Sequence, residues 1–288
     1  MAGRTQKFDT RQSMNSRRFE IFHYRDQQPH NINIHHHDFY EIYFFMGGNV
    51  EFRVEGKTYR LEPGDLILIS PQEFHQAEIK SDVLYERFVL WIDRSYLSTL
   101  NTDDFSMTAC FDFQAPVHTN LYRPDKLRRA MLRELLDKLT GEFYSSRKGS
   151  RLYAQGLFQQ FMVEVNRLVS SNVRPDLSLP EPDLVSQVLA YIGGHFEEAL
   201  TLEQLAAEFF VSKYYLSHEF RQQVGTSVYH YIICKRLLRA KEQMEQGSPP
   251  GTVYQSCGFG DYANFYRAFR GEYGISPKAF FSSVRKEH

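Results

Sequence analysis

The stretch Thr201–Gln222, TLEQLAAEFFVSKYYLSHEFRQ, decides how this chain is read. Thr201 stands one residue ahead of an apolar-periodic run, and Gln204 follows three positions on, the spacing of a capping box. Leu202, Leu205 and Phe209 give the first helix an apolar face, while Ala206 and Ala207 let a second helix approach closely. Phe210-Val211 makes a short turn, and Ser212 is placed to cap the next helix. Leu216 and Phe220, four residues apart, anchor that helix and leave Lys213, Tyr214, Ser217, His218 and Arg221 on its outer faces. Two helices joined by a tight turn, the second displaying such groups, can enter a DNA major groove and touch base edges.

The pattern recurs further on. Cys257-Gly258-Phe259 forms a turn, Asp261 caps a helix over Tyr262–Arg270, and Phe265 and Phe269 repeat the four-residue step of Leu216 and Phe220. Tyr262, Ala263, Tyr266, Arg267 and Arg270 are then available outward. Between the two units a helix near Val228–Glu245 carries Lys235, Arg236, Arg239 and Lys241, cations suited to phosphate contacts. An all-helical bundle with no nucleic-acid role is the competing reading; two capped turns in matching positions weigh against it.

The strings LEQLAAEFFVSKYYLSHEFRQQVGTSVYHYI, KRLLRAKEQM and CGFGDYANFYRAFRGEYGISPKAF resemble the DNA-binding domain of the AraC/XylS family of bacterial transcription regulators. The likeness includes a leading helix at Leu184–Phe196. It implies that Ser212–Gln222 and Asp261–Arg270 are recognition helices serving adjacent major-groove segments about one helical turn, roughly 34 Å, apart. It implies base-reading positions at Tyr214, Ser217 and His218, then at Tyr262, Ala263, Tyr266 and Arg267. It also implies double-stranded DNA and RNA polymerase as partners. His218 stands where arginine is common, which removes a bidentate guanine contact. Pro249-Pro250-Gly251 opens the second unit's leading helix, and Tyr254 sits where a small alanine is expected. Proline is tolerated only in a first turn, so this helix is expected to be short or loosely docked.

Charge tests that reading. The 288 residues carry 34 Lys+Arg against 35 Asp+Glu, a net charge of -1 that as a sum speaks against nucleic acid. Phe209 to His288, however, holds eleven basic and six acidic residues, a surplus of five positive charges. No run of about 18 apolar residues is present, which excludes a membrane helix. The polar N-terminus speaks against secretion. Cys110, Cys234 and Cys257 are too few and scattered for a disulfide framework or a cysteine zinc site, as expected of a cytoplasmic protein.

The N-terminal half has a different period. Phe19, Ile21 and His23 alternate with polar neighbours; Phe39, Glu41, Tyr43 and Phe45 share one strand face, with Ile42 and Phe44 on the other; Val50, Phe52 and Val54 follow the same rule. Turns at Gly47-Gly48, Gly56 and Pro63-Gly64-Asp65 separate short strands, the pattern of a sandwich or small barrel. Leu127, Met131, Leu135 and Leu139, then Leu157, Phe161, Val165 and Leu168, fall at steps of four, the last of three, and predict a helical hairpin over 125–170. Its stripes cover either the barrel's own core or a second copy in a homodimer. The proline-bearing segment SSNVRPDLSLPEPD reads as a linker. The expected organisation is α+β: a cupin-like β-barrel with its hairpin over 18–170, a linker over 171–183, and an all-α double helix-turn-helix unit over 184–288.

His35, His37 and Glu41 lie two and four residues apart on one strand face, and His75 follows the PGD turn, four residues after Pro71. This HxHxxxE and PxxxH arrangement resembles the cupin barrel, whose metal-binding members hold one divalent cation at those four positions. Three imidazoles and a carboxylate suit Zn, Fe, Mn or Ni. A metal-free polar pocket and a purely structural network stand beside that reading. The resemblance to regulator barrels implies a small effector, commonly a sugar or related metabolite. Tyr43 extends the same face, and Trp91, the single tryptophan, is either a stacking plane for a sugar or a core residue. Two functions follow: an effector-controlled, sequence-specific transcription regulator, or a metal-dependent cupin enzyme with a helical appendage. An enzyme has no need of the double unit, which favours the regulator; a purely DNA-architectural protein would not need the polar barrel.

Overall fold

Successive side chains of a strand point to opposite faces, and in Tyr40–Gly47 this parts the core in two. Tyr43 and Phe45 join Phe22, Tyr24, Phe52, Val54 and Trp91 in one buried cluster. Ile42 and Phe44 join Phe19, Phe88 and Leu90 in another. The computed structural model describes residues 6, 13–27, 34–71, 73–80, 83–112, 119–171 and 183–285. The chain forms two units, Met1–Leu179 and Pro180–His288. The linker expected at 171–183 lies, but for its end residues, outside the described residues.

In the first unit the strands are β1 (Phe19–Asp26), β2 (Tyr40–Gly47), β3 (Val50–Val54), β4 (Lys57–Arg60), β5 (Leu66–Ile69), β6 (His75–Ile79), β7 (Tyr85–Ile92) and β8 (Leu121–Tyr122). They pair antiparallel in a five-stranded sheet of order β1-β7-β2-β5-β8 and a three-stranded sheet of order β4-β3-β6. Glu41 faces Trp91 in register, so the polar candidate and the tryptophan share the face between the sheets. A short helix α1 (Arg94–Thr99), capped by Asp93, leaves β7. The outer face of the larger sheet is covered by α2 (Lys126–Phe143) and α3 (Ser150–Ser171).

The hairpin stripe differs in part from expectation. Leu157, Phe161, Val165 and Leu168 are buried on the sheet, but α2 contributes Leu132, Leu135, Leu136 and Leu139, while Leu127 is 82% exposed. The strict four-residue step drifts around a helix of 3.6 residues per turn, so the first member of the stripe rotates off the core. The stripes thus serve the protein's own sheet. Asn166 fixes the hairpin further: it accepts from the Cys110 amide at 2.9 Å and donates to the Met107 and Met162 carbonyls.

The second unit comprises α4 (Leu184–His195), α5 (Leu202–Glu208), α6 (Lys213–Val224), α7 (Val228–Glu245), α8 (Pro250–Ser256), α9 (Tyr262–Tyr273) and α10 (Pro277–Arg285). The capping box forms as its spacing requires: the Gln204 amide donates to Thr201 Oγ1 at 3.2 Å and the Thr201 amide to Gln204 Oε1 at 2.8 Å. Of the two alternatives expected for α8, short or loosely docked, the structure shows the first. The helix is short, with Pro250 in its first turn, but Val253, Cys257 and Phe259 pack with Leu237, Met244, Phe265 and Phe269. Tyr254 fits in alanine's place by lying edge-on to Tyr262, ring centroids 5.7 Å apart. Among the described residues no helix is long and apolar enough to cross a membrane.

Candidate functional site

Helix α6 buries Leu216, Phe220 and Val224, and that burial fixes what points away. Tyr214, Ser217, His218 and Arg221 line, with Gln222, a surface groove of about 380 Å³. Tyr214 is 81% exposed and lies parallel to the His218 ring, centroids 6.3 Å apart. Gln222 donates to His218 Nε2 at 2.9 Å, so the neutral ring keeps its proton on Nδ1, a donor for an outside acceptor. Ser212 spends its hydroxyl oxygen on the Tyr215 amide, and Lys213 pairs with Glu203 of α5 at 3.1 Å. Those two position the helix.

Helix α9 repeats the plan. Phe265 and Phe269 are buried; Tyr262, Ala263, Arg267 and Arg270 are exposed and Tyr266 is half-buried. Asp261 is a cap: its carboxylate accepts from the Asn264 amide at 2.7 Å and from the Asn264 side-chain amide. Arg267 donates to the Asn264 side-chain oxygen, which holds the guanidinium over the start of the helix. Of the four α7 cations expected at phosphates, two are engaged within the fold. Arg236 donates to the Phe196 and Glu198 carbonyls at 2.7 Å each, and Arg239 lies 3.3 Å from Glu197. These arginines fasten the end of α4 to α7.

One property of the Phe210-Val211 turn escaped the sequence reading. Phe210, in the turn before α6, has a φ of 54° and is 96% exposed. The matching turn before α9 places Gly258 there, at a φ of 82°. A side chain in the left-handed region costs about 1 kcal/mol or more, and the exposed ring returns no packing. The signal was the alignment of the two turns. Phe210→Gly is expected to stabilise the second unit by about 1 kcal/mol, read as a higher midpoint in chemical denaturation.

The first unit concentrates its polar groups between the sheets. His35 and His75 bridge β-fashion, the His35 amide to the His75 carbonyl at 3.1 Å and the reverse at 2.9 Å. His37 and His75 each hold a backbone carbonyl through Nδ1, those of Phe39 at 2.9 Å and Glu73 at 2.8 Å. His37 Nε2 lies 3.2 Å from Glu41, and Trp91 donates to the same Glu41 oxygen at 2.8 Å. His37, Glu41 and His75 bring their ligand atoms within 4.8 Å of one another. His35 is beside them, its ring 4.3 Å from that of His75, but it does not join the three. Among the described residues the buried His75 Nε2 meets no hydrogen-bond partner, and burial, then the charges of His35 and His37, hold the His75 pKa well below the usual imidazole value. A neutral imidazole with Nδ1 pinned to a carbonyl and a bare Nε2 is how a metal-ligating histidine is prepared, so these three residues fit a divalent cation.

Tyr43 and Trp91 are core residues that carry polar tips. Trp91 is 5% exposed, with the Phe22 and Phe39 ring centroids 5.0 and 4.9 Å from its own, so it offers no open stacking plane. Tyr43 bonds to the Tyr85 hydroxyl, and burial raises both phenol pKa values. The Arg87 guanidinium lies 4.0 Å from the Tyr85 ring centroid and pairs with Asp26. Arg87 and Tyr85 also escaped the sequence reading. The signal was a period of two in YERFVLWI that puts Tyr85 and Arg87 on the face of Trp91.

Comparison with known proteins agrees with both halves. A family model described as an AraC-like ligand binding domain matches residues 19–162, and one described as a helix-turn-helix domain matches 205–283. The arabinose operon regulatory protein of Salmonella typhimurium is 27% identical over 229 residues, 78% of this chain and 77% of its own. The transcriptional activator RhaR of an Enterobacter species is 24% identical over 264 residues, 91% of each chain. Among solved structures, the DNA-binding domain of AdpA in complex with a target DNA matches 37% of this chain and 96% of its own, at 27% identity and a TM-score of 0.35. With an AraC-like ligand-binding domain built on its sheets and a helix-turn-helix domain in its second unit, the chain belongs to the AraC family of DNA-binding transcription regulators.

Proposed function

We propose that this regulator reads two adjacent major-groove segments with α6 and α9, through Tyr214, Ser217, His218 and Arg221 in the first and Tyr262, Ala263, Tyr266, Arg267 and Arg270 in the second. The observation that carries this reading is the repetition: each helix turns two or three apolar residues into the core and sets its remaining side chains outward. The barrel over 18–170 binds a small effector, a sugar or related metabolite, at its buried polar centre, and the 171–183 segment joins it to the DNA-binding domain over 184–288. Effector binding shifts the balance of two domain arrangements by its differential affinity for them. The hairpin leaves Leu127, Leu152 and Tyr153 exposed, a surface for a second copy. The protein works in the cytoplasm, with RNA polymerase as its partner at the promoter.

Arg267→Ala is expected to weaken binding to the specific promoter segment about tenfold to a hundredfold, from ~1–3 kcal/mol per base-reading side chain. Arg285→Ala, in α10, should change it little. Equal losses in a fluorescence-anisotropy titration would refute the assignment of α9, and salt-insensitive binding would refute the whole DNA reading.

His37→Ala is expected to abolish the effector response while leaving DNA binding intact. A thermal-shift screen of sugars and divalent cations against the full chain checks this; a ligand at a hundred times its Kd adds about 2.7 kcal/mol to the barrel, and the variant should lose that gain. Should the bound species be a cation, His37, Glu41 and His75 would hold it and it would supply fixed positive charge between β2 and β6. A hit that survives His37→Ala would place the effector elsewhere.

A further inference from the structure

His230, Cys234 and Glu272 lie apart from both recognition faces. His230 and Cys234 are four residues apart on α7, so the helix stacks them one turn apart on one side. Glu272 comes from the last turn of α9. The Cys234 sulfur is 3.5 Å from His230 Nε2, and a Glu272 carboxylate oxygen lies within 4.8 Å of both ligand atoms. Cys234 is buried, Glu272 half-buried and His230 exposed.

The spacing is the one a metal requires. An ion bound tetrahedrally, with metal–sulfur and metal–nitrogen bonds of about 2.3 and 2.0 Å, separates those two ligands by about 3.5 Å. A thiol-to-imidazole hydrogen bond also allows that distance, but it does not call for a carboxylate converging on the same point. We propose that His230, Cys234 and Glu272 form a site for a divalent transition metal of the zinc type. One thiolate, one imidazole and one carboxylate favour zinc or cobalt over magnesium or calcium, whose sites are built of oxygen. Burial pushes the Cys234 thiol up to about 12; on binding, sulfur bonds to the metal and its proton leaves to solvent. The ion would fasten the end of the second recognition helix to the connecting helix. The sequence alone argued against a cysteine metal site because the cysteines are scattered; the fold supplies the missing ligands from α7 and α9.

The test uses the full chain, stripped with chelator and titrated with Co²⁺, read by the thiolate-to-cobalt charge-transfer absorption. The barrel histidines cannot give that band, since Cys110 packs under the hairpin and Cys257 in the core of the second helix-turn-helix. The wild type is expected to develop the band to one equivalent, His75→Ala to keep it, and Cys234→Ser to lose it. His230→Gln and Glu272→Gln should weaken cobalt binding by at least about tenfold, and these more exposed positions keep the test decisive if Cys234→Ser does not fold. Absence of the band in the wild type, its survival in Cys234→Ser, or unchanged affinity in both glutamine variants would overturn the site.

Discussion

Gly258→Ala is expected to cost the second unit about 2–5 kcal/mol and to remove its share of DNA binding. The residue sits at a φ of 82°, in the left-handed region, where a β-carbon costs about 1–2 kcal/mol. A β-carbon there would also lie 2.7 Å from the Glu197 carbonyl oxygen and 2.9 Å from Arg236 Nε. Neither neighbour can give way cheaply. The carbonyl is backbone between α4 and α5, and Arg236 is held by its bonds to Phe196 and Glu198. Crowding of this kind adds roughly 1–3 kcal/mol, a large part of the 5–15 kcal/mol that stabilises an ordinary domain. The measurement is the denaturation midpoint of the DNA-binding unit, with promoter affinity as second readout. A variant as stable as the wild type would show that α8 and its turn do not hold the observed position. Phe210→Gly, at the matching turn, should move stability the opposite way.

Phe158→Ala is expected to destabilise the barrel by about 3–5 kcal/mol, the cost of truncating a fully enclosed aromatic. Phe158 has no exposure, stacks on Phe19 with ring centroids 4.4 Å apart and planes 4° from parallel, and lies 5.8 Å from the Tyr96 ring. It thereby joins α3 to β1 and to the helix after β7. Truncation leaves a cavity at the centre of the sheet–hairpin interface, and the barrel's melting transition should fall by roughly 10 °C. Leu127→Ala is the control. Its side chain is largely in water, so its effect on stability should stay within about 0.5 kcal/mol. Comparable losses for the two would mean that the hairpin stripe runs as the four-residue step first suggested.

Much of the fold was legible because it rests on local rules. A strand must alternate its faces, and Glu41, Tyr43 and Phe45 do so. A helix must cap its free amides, and Thr201, Ser212 and Asp261 announce where three of them start. The paired steps Leu216/Phe220 and Phe265/Phe269 set the buried faces of α6 and α9, and with them the exposed ones. Less legible were properties that depend on which neighbour arrives. Nothing local in RLLRAK says that Arg236 will meet the carbonyls at the end of α4, or that His37, Glu41 and His75 converge while His35 stands aside.

The sequence by itself determined the period of each half, the caps, the turns, the split of charge and the two helices that face outward, since each follows from backbone geometry and from which side chains water excludes. Only the tertiary structure decided that Arg236 is spent on the carbonyls at the end of α4. It alone seated Trp91 against Glu41 and brought His230, Cys234 and Glu272 together. The physical reason is that hydrogen bonds and ligand sets are made at about 3–4 Å between residues far apart in the chain. Such distances are set by the packing of whole elements, which no periodicity encodes.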